Sequence, residues 1–275
     1  MSLKVLVTGA GGLLAYSLRE LQPEGMALVF WDRKHFDLTC PDRMAELLRT
    51  LRPDWVINTA AYNLVDRCES ERNHSWAVNA KGPESLARIC HQVGSRLMHF
   101  SSDYVFDGAK RSPYEETDPP HPLNHYGAGK LYGETAVLET SPHNVVIRTS
   151  WLFGPHPTQT KSYVHSVLRQ ALQGGPLKAV TDQVAAPTYA PDLAKCAVEL
   201  IRGGAAGLFH VVNDEGLSRY EWTLEILAAA HAIGILPARV SVEAVETTAF
   251  GPAIRRPPYS VLSNHKASTL LNQPL

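Results

Sequence analysis

Along the first half of the chain, short apolar runs alternate with stretches whose apolar residues recur every three or four positions. The runs at 3–8 (LKVLVT), 27–31 (ALVFW), 55–58 (WVIN), 96–101 (RLMHFS) and 145–149 (VVIRT) are short and continuously apolar, which predicts buried strands. Between them, residues 13–21, 41–51, 83–93 and 126–139 carry helical spacing. The second of these opens on Pro41 and sets Met44, Leu47, Leu48 and Leu51 on one face. Strands alternating with helices of this length predict an α/β fold: a Rossmann-like, doubly wound parallel sheet covered on both faces. The second half is less regular. Helices are expected at 163–173, 192–202 and 219–232, and a strand at 208–212. Pro and Gly cluster at 154–157, 174–176, 187–191 and 251–258, with no repeat and no low-complexity linker. The pattern predicts a first domain over 1–155 and a small C-terminal lobe over 156–275, interleaved in space across a soft boundary.

Length and charge narrow the class. A chain of 275 residues suits one large domain, or one domain with an appended lobe. Lys and Arg number 26 and Asp and Glu 27, so no electrostatic footprint for a nucleic acid or an anionic membrane is expected. No stretch reaches the roughly 18 continuous apolar residues of a membrane span. The uncharged run at 5–18 is interrupted by Gly9, Gly11 and Gly12 and is followed by no A-x-A cleavage site, so a signal peptide is not expected either. Cys40, Cys68, Cys90 and Cys196 form no CxxC pair, and the histidines never fall at HxxxH spacing with a neighbouring Glu. Reduced thiols, a cytoplasmic location and no metal site are the expectation.

The chemistry starts at Thr8-Gly9-Ala10-Gly11-Gly12-Leu13-Leu14-Ala15, after the first strand. Gly9 permits a tight turn, Gly12 lets backbone approach a pyrophosphate, and Ala15 lets the helix sit near the strand. The helix N-terminus then offers N–H groups to a diphosphate. A glycine turn in this context predicts a dinucleotide site. Asp32 ends the second strand about 20 residues on, where an acid favours the free ribose 2′-hydroxyl of NAD. Arg33 beside it suits the 2′-phosphate of NADP, and the two pull in opposite directions. Residues 58–62 (NTAAY) end the third strand with small side chains, where bulk would block a cofactor.

Tyr126 and Lys130 stand four apart on one helix, so they share a face. An ammonium near a phenol is expected to lower the phenol's pKa and ready it for proton exchange with a carbonyl or alcohol oxygen. Ser102, in the run FSSDYVFDG after the fourth strand, lies at the C-terminal sheet edge where open α/β folds bind ligands. Its hydroxyl can share the substrate oxygen. Asn79, in a WxVN run, either fixes the sheet edge or a water, or is a helix-end amide. Trp151, in RTSWLFG, packs either on a sugar or base face or in the core.

These residues carry a family resemblance over nearly the whole chain. TGAGGLLA, DRKHFDLT, NTAAYNLVDRCESE, WAVNAKGPESLA, FSSDYVFDG, YGAGKLYGE, RTSWLFG, DQVAAPT and RRPPYSVL occur in the order seen in extended short-chain dehydrogenase/reductases. Within that group the chain resembles the dTDP-4-dehydrorhamnose reductases. The resemblance implies reduction of the C4 ketone of dTDP-4-dehydro-L-rhamnose with NADPH or NADH, and a nucleotide-sugar substrate held by the C-terminal lobe. It implies that Tyr126 donates the proton, that Lys130 holds the nicotinamide ribose, and that Ser102 replaces a usual threonine. It places Gly12, Leu13 and Leu14 at the diphosphate, Asp32, Asp37 and Leu38 at the adenosine, Ala60, Ala61 and Tyr62 along the cofactor wall, and Asp103 and Trp151 at the sugar. Ser17 stands where some bacterial members resemble a design with a magnesium-holding glutamate, so neither the metal nor that dimer mode is carried over, and a homodimer stays open. Arg255 and Arg256 suit either a substrate diphosphate or surface pairing. Two other readings keep the same motifs: a nucleotide-sugar epimerase or dehydratase that retains its cofactor, and a non-catalytic subunit like the regulatory subunit of methionine adenosyltransferase.

Overall fold

A computed structural model describes residues 2–158, 162–237, 239–251 and 254–272. β1 (Leu3–Thr8) leads through the glycine turn into α1 (Leu13–Leu21), followed by β2 (Met26–Trp31), α2 (Pro41–Leu51) and β3 (Trp55–Asn58). Two short helices, α3 (Val65–Ser70) and α4 (Arg72–Trp76), run through a π turn at Ala77–Lys81 into α5 (Gly82–Val93). β4 (Arg96–Ser102), α6 (His125–Thr140) and β5 (Val145–Thr149) complete the first half. The second half adds β6 (Leu152–Phe153), α7 (Tyr163–Gln173), β7 (Leu177–Val180), β8 (Val184–Ala185), β9 (Thr188–Tyr189), α8 (Ala190–Arg202) and β10 (Gly207–His210). It ends with β11 (Leu217–Ser218), α9 (Arg219–Ala232), β12 (Val242–Val245) and α10 (His265–Leu271).

Six strands form one parallel sheet in the order β10-β5-β4-β3-β1-β2. Strand period two sends alternate side chains to opposite faces. Val5, Val7, Ile57, Met98 and Ile147 bury against α1 and α8, while Leu6, Val56, Leu97 and Val146 bury against α2 and α5. Both faces are therefore apolar, which is why the strand runs read as continuous rather than alternating. The chain leaves β1 for β2 on one side and returns to β3 on the other. Their connections part at the C-terminal edge and open a crevice there, the usual ligand position in such sheets.

The second half serves two bodies. α8, β10 and α10 pack onto the sheet, with Leu193, Phe209 and Ala267 in its core. α7, α9 and the β7–β12 pair form a separate small lobe around Trp222. The strands expected at 3–8, 55–58 and 145–149 and the helices expected at 13–21, 41–51, 163–173 and 219–232 carry the observed bounds. The strand expected at 208–212 stops at His210. β7 and β12 were not expected: each is a four-residue run broken by a charge (LKAV and VEAV), and their pairing joins Leu177 to Val242.

Candidate active site

The glycine turn closes between β1 and β2: Ala10 N–H donates to the Trp31 carbonyl at 3.1 Å and Gly12 N–H to the Gly9 carbonyl at 2.8 Å. Gly9 has φ +70°, and a Cβ there would stand 2.8 Å from the Ala60 nitrogen. Only glycine lets this turn lie against the segment leaving β3. Gly12 has no side chain with which to cap α1, so the first-turn N–H groups and the positive end of the helix dipole face outward. Over the turn opens a cavity of about 790 Å³. Gly9, Gly12, Asp32, Arg33, Asp37, Leu38, Ala60, Ala61 and Tyr62 all line it. Leu14 is buried in the core beneath the sheet and Leu13 is half-buried at the helix start; neither lines the cavity. A trough of backbone and small side chains with a polar rim fits a dinucleotide.

The rim is a set of interlocked charges. The Asp32 carboxylate accepts the His35 ring nitrogen at 2.7 Å and the N–H groups of Lys34 and His35, and the His35 contacts hold it below the usual carboxylate range. Arg33 donates to Asp37 at 3.2 Å. Asn79 clamps the wall from the π turn: its amide oxygen accepts the Tyr62 N–H and its amide nitrogen donates to the Tyr62 carbonyl, both at 2.8 Å. The side chain thus fixes the groove wall, which is neither the sheet edge nor the helix end expected for it.

Ser102, buried at the end of β4, donates to Asp103 at 2.9 Å and accepts the Tyr104 N–H at 3.2 Å. The other Asp103 oxygen accepts the Ser260 hydroxyl at 2.6 Å. Burial outweighs these bonds and pushes the Asp103 carboxyl up to about 6. Asn124 caps α6 by accepting the Gly127 N–H at 2.9 Å, and its amide donates to the Arg255 carbonyl at 2.9 Å. A Cβ on Gly127 would stand 2.1 Å from the Tyr104 carbonyl, so the glycine of YGAGK is what lets α6 close on the Ser102–Tyr104 turn. Tyr126 then meets Tyr104 edge-on, with ring centroids 5.7 Å apart.

The electrostatics differ from the expectation drawn on Tyr126 and Lys130. Burial pushes the Tyr126 phenol above its ordinary value, with only the Ser102 hydrogen bond pulling it back. Lys130 turns its ammonium onto the Phe100 carbonyl, and burial pulls it down to about 8 against the opposing effect of Glu134 one turn on. Glu134 in turn forms a buried ion pair with Arg148 of β5, which locks α6 to the sheet. Desolvation thus exceeds the pull of a lysine that is directed at backbone.

The lobe side is built from large side chains. Trp151 has φ 42°, a strained conformation for a bulky residue, held by Ser150 donating to the Ala186 carbonyl at 2.6 Å and Thr188 N–H donating to the Trp151 carbonyl at 3.3 Å. Its ring stacks on Trp222 at 5.5 Å, and Trp222 stacks on Tyr163 at 5.0 Å. One face of Trp151 therefore has a core partner. The Arg219 guanidinium lies 3.5 Å from the Trp151 ring centroid. Arg256 donates to both Asp66 oxygens, at 2.7 and 2.9 Å, and to the Tyr104 hydroxyl at 3.2 Å. Sequence reasoning had not singled out Arg219 or Ser260. Ser260 lay inside the quoted RRPPYSVL, but a lone serine carries no spacing signal. Among the described residues no metal-binding cluster of His, Cys, Asp or Glu occurs, and no helix is long and apolar enough to cross a membrane.

The family model of the RmlD substrate binding domain matches residues 3–275. A dTDP-4-dehydrorhamnose reductase of Burkholderia thailandensis is 38% identical over 274 residues, covering 95% of this chain and 91% of that protein. The crystal structure of dTDP-4-dehydrorhamnose reductase from Bacillus anthracis in complex with NADP superposes with a TM-score of 0.92 at 34% identity, covering 100% of this chain and 94% of that one. UDP-glucose 4-epimerase of Thermus thermophilus in complex with NAD shares the fold, with a TM-score of 0.80 at 23% identity over 97% of this chain and 92% of that one.

Proposed function

The chain belongs to the RmlD substrate binding domain family, together with dTDP-4-dehydrorhamnose reductases, and from this premise we propose that it reduces the C4 ketone of dTDP-4-dehydro-L-rhamnose to dTDP-L-rhamnose with NADPH or NADH. The observation that carries the reading is the meeting of Ser102, Tyr126 and Lys130 around the end of β4, beside a glycine-turn groove of dinucleotide size. Gly9, Gly12 and the α1 N-terminus, with Leu13 and Leu14 in its first turn, would hold the diphosphate. Asp32, Arg33, Asp37 and Leu38 would hold the adenosine end, and Ala60, Ala61 and Tyr62 the wall. When bound, the nicotinamide supplies the hydride for C4.

Tyr126 donates its phenolic proton to the oxygen that becomes an alkoxide. A phenol held above its ordinary pKa stays fully protonated at neutral pH, so the proton is in place when charge develops. The Lys130 ammonium, one helical turn on and bonded to the Phe100 carbonyl, would hold the nicotinamide ribose when the cofactor is bound. Ser102 shares the sugar oxygen; its hydroxyl is oriented beforehand by Asp103. Asp103 and Trp151 hold the sugar. Residues 1–155 serve mainly the cofactor and 156–275 mainly the substrate, with the two parts interleaved.

The test supplies dTDP-4-dehydro-L-rhamnose, generated in situ, with NADPH and NADH in parallel. Loss of reduced cofactor equal to dTDP-L-rhamnose formed is the expected result, and the faster arm names the cofactor. Absence of consumption would overturn the proposal. Nicotinamide retained through purification would then favour an epimerase or dehydratase, and saturable binding of a partner enzyme the non-catalytic subunit.

A further inference from the structure

Arg219 is the first residue of α9, and its backbone is pinned on every side. Its N–H donates to the Gln183 carbonyl at 3.1 Å, and its carbonyl accepts the Thr223 hydroxyl at 2.7 Å and the Tyr163 hydroxyl at 3.3 Å. Ser218 and Glu221 close a capping box around it. The guanidinium has no such partners. Among the described residues it makes no hydrogen bond or ion pair, although it carries five N–H donors. It is held instead by three rings, at 3.5 Å from Trp151, 4.5 Å from Tyr163 and 5.3 Å from Trp222. Trp151 and Trp222 are themselves 5.5 Å apart and nearly parallel. That triangle closes only with Arg219 and Trp222 against the same face of Trp151, so the opposite face lies outside the stack.

The neighbourhood offers the cation no free acid. Asp103 accepts from Ser102 and Ser260, and Asp66 is taken by Arg256. Arg219 is still close enough to Asp103, Tyr104 and Arg256 to interact with them electrostatically, and burial pulls its pKa down to about 10. Two cations gathered beside a catalytic turn, one of them with every donor unused, form an incomplete anion site. Its position suits the middle of an elongated ligand. Toward Asp103 and Tyr104, which Arg219 meets electrostatically, lie Ser102, hydrogen-bonded to both, and Tyr126, packed on the Tyr104 ring. Gln183, whose carbonyl receives the Arg219 N–H, lines a second cavity of about 590 Å³ together with Arg255 and Arg256.

We infer that Arg219 binds the diphosphate of the nucleotide-sugar substrate, with Arg256 as the second cation, the sugar at Ser102 and Tyr126, and the nucleoside in the cavity beyond Gln183. The inference rests on the nucleotide-sugar reading proposed above. The three rings surround the guanidinium carbon without using any of its N–H donors, which are then available to phosphate oxygens. Arg219 is then a specificity-determining residue: it separates nucleoside diphosphates from nucleosides rather than one sugar from another.

The test compares dTDP and thymidine binding by calorimetry on the NADP⁺-loaded protein, for wild type, Arg219→Met and Arg219→Lys. Met keeps apolar bulk among the rings, so the variant should fold, which thermal unfolding checks. Wild type should prefer dTDP over thymidine by at least about tenfold. Arg219→Met should weaken dTDP by about 10- to 100-fold and leave thymidine unchanged, and Arg219→Lys should recover part of the loss. With the deoxysugar, Arg219→Met should raise KM more than it lowers kcat. Unchanged dTDP binding in Arg219→Met, no preference for dTDP in wild type, or equal loss of both ligands with a fall in Tm would overturn the assignment. A wild type that prefers dTDP, loses that preference in Arg219→Met, yet reduces no 4-dehydro sugar would leave Arg219 in place and sink the reductase reading instead.

Discussion

In the function proposed above, the cofactor groove and the lobe side of the cleft would solve the same problem, holding a phosphate-rich ligand, by opposite means. The groove works by subtraction. Gly9, Gly12, Ala60 and Ala61 remove side chains so that backbone N–H groups and a helix end can face the ligand. The lobe side works by addition. Trp151, Tyr163 and the α9 pair Arg219 and Trp222 bring bulk from three places along the chain into one assembly. Subtraction is local, because a turn and the helix it opens are consecutive residues. Addition is non-local, because each ring needs the folded lobe to find its neighbour. Substitutions should therefore act differently on the two sides.

The largest effect is expected at the seam between them. Tyr126→Phe deletes the proposed proton donor and keeps the ring that packs edge-on against Tyr104. Turnover should fall by about 10²- to 10⁴-fold, while cofactor affinity, read by fluorescence titration, stays within about twofold because the glycine turn is untouched. Undiminished turnover would remove Tyr126 from its role.

Asp103 sharpens the comparison from the lobe side. Its carboxyl is buried, and its pKa rises from 3.8 to about 6. Below the ordinary value both folded and unfolded chains hold the proton. As pH rises through 4 to 6 the unfolded chain releases it first, so the stability contributed by the protonated, buried carboxyl is lost across that window. The loss is roughly 3 kcal/mol by linkage. Asp103→Asn does not titrate, so its Tm deficit against wild type should be larger at pH 4.5 than at pH 7.5. Parallel Tm–pH curves would show that burial does not control this group. Ser260→Ala removes a bond that favours the carboxylate and should move the window to higher pH.

The same contrast explains how much was legible in the sequence. The glycine turn, the acid and base after β2 and the small residues after β3 all line one cavity, because each signal sits within a few residues of a strand end. The long elements of both halves were legible for the same reason: eleven-residue helices such as α2 and α7 display their period. Arg219 was not legible. After a capping serine it reads as a solvated charge, and only the folded lobe brings Trp151 and Tyr163 beside it. The sign of the Tyr126 shift was missed for a related reason. Spacing places Lys130 on the same face, but it reveals neither how deeply the phenol is enclosed nor that the ammonium turns to the Phe100 carbonyl.

Gly9→Ala tests the subtraction. The new Cβ meets Ala60 backbone, which cannot rotate away, and φ +70° adds strain. A destabilisation of about 1–3 kcal/mol is expected, seen as a lower Tm. Cofactor affinity should fall about tenfold as the turn shifts off the groove. Binding of dTDP should hold, because Arg219 and the rings around it are anchored through Gln183, α7 and α9 rather than through this turn. Loss of both ligands together would mean that the two sides are one cooperative unit.

The smallest effect belongs to the rim. Arg33 and Asp37 form an ion pair whose side chains are 70% and 28% exposed, so Arg33→Ala should change stability by less than about 1 kcal/mol. Its consequence should be confined to selectivity. Asp32 is held as a carboxylate by His35 and the Lys34 N–H, and it repels a 2′-phosphate whatever Arg33 does. Arg33, with Lys34 beside it on the same rim, offsets that repulsion, at the cost of leaving Asp37. Its removal should raise the KM for NADPH a few-fold and leave NADH unchanged, with the ratio of the two as the measurement. A rim built on backbone should tolerate this edit, whereas the lobe, where Arg219 is proposed as the main cation for the anion, should not tolerate Arg219→Met. If Arg33→Ala instead cost as much as Arg219→Met, the groove would depend on side-chain charge after all, and the distinction between subtraction and addition would fail at its edge.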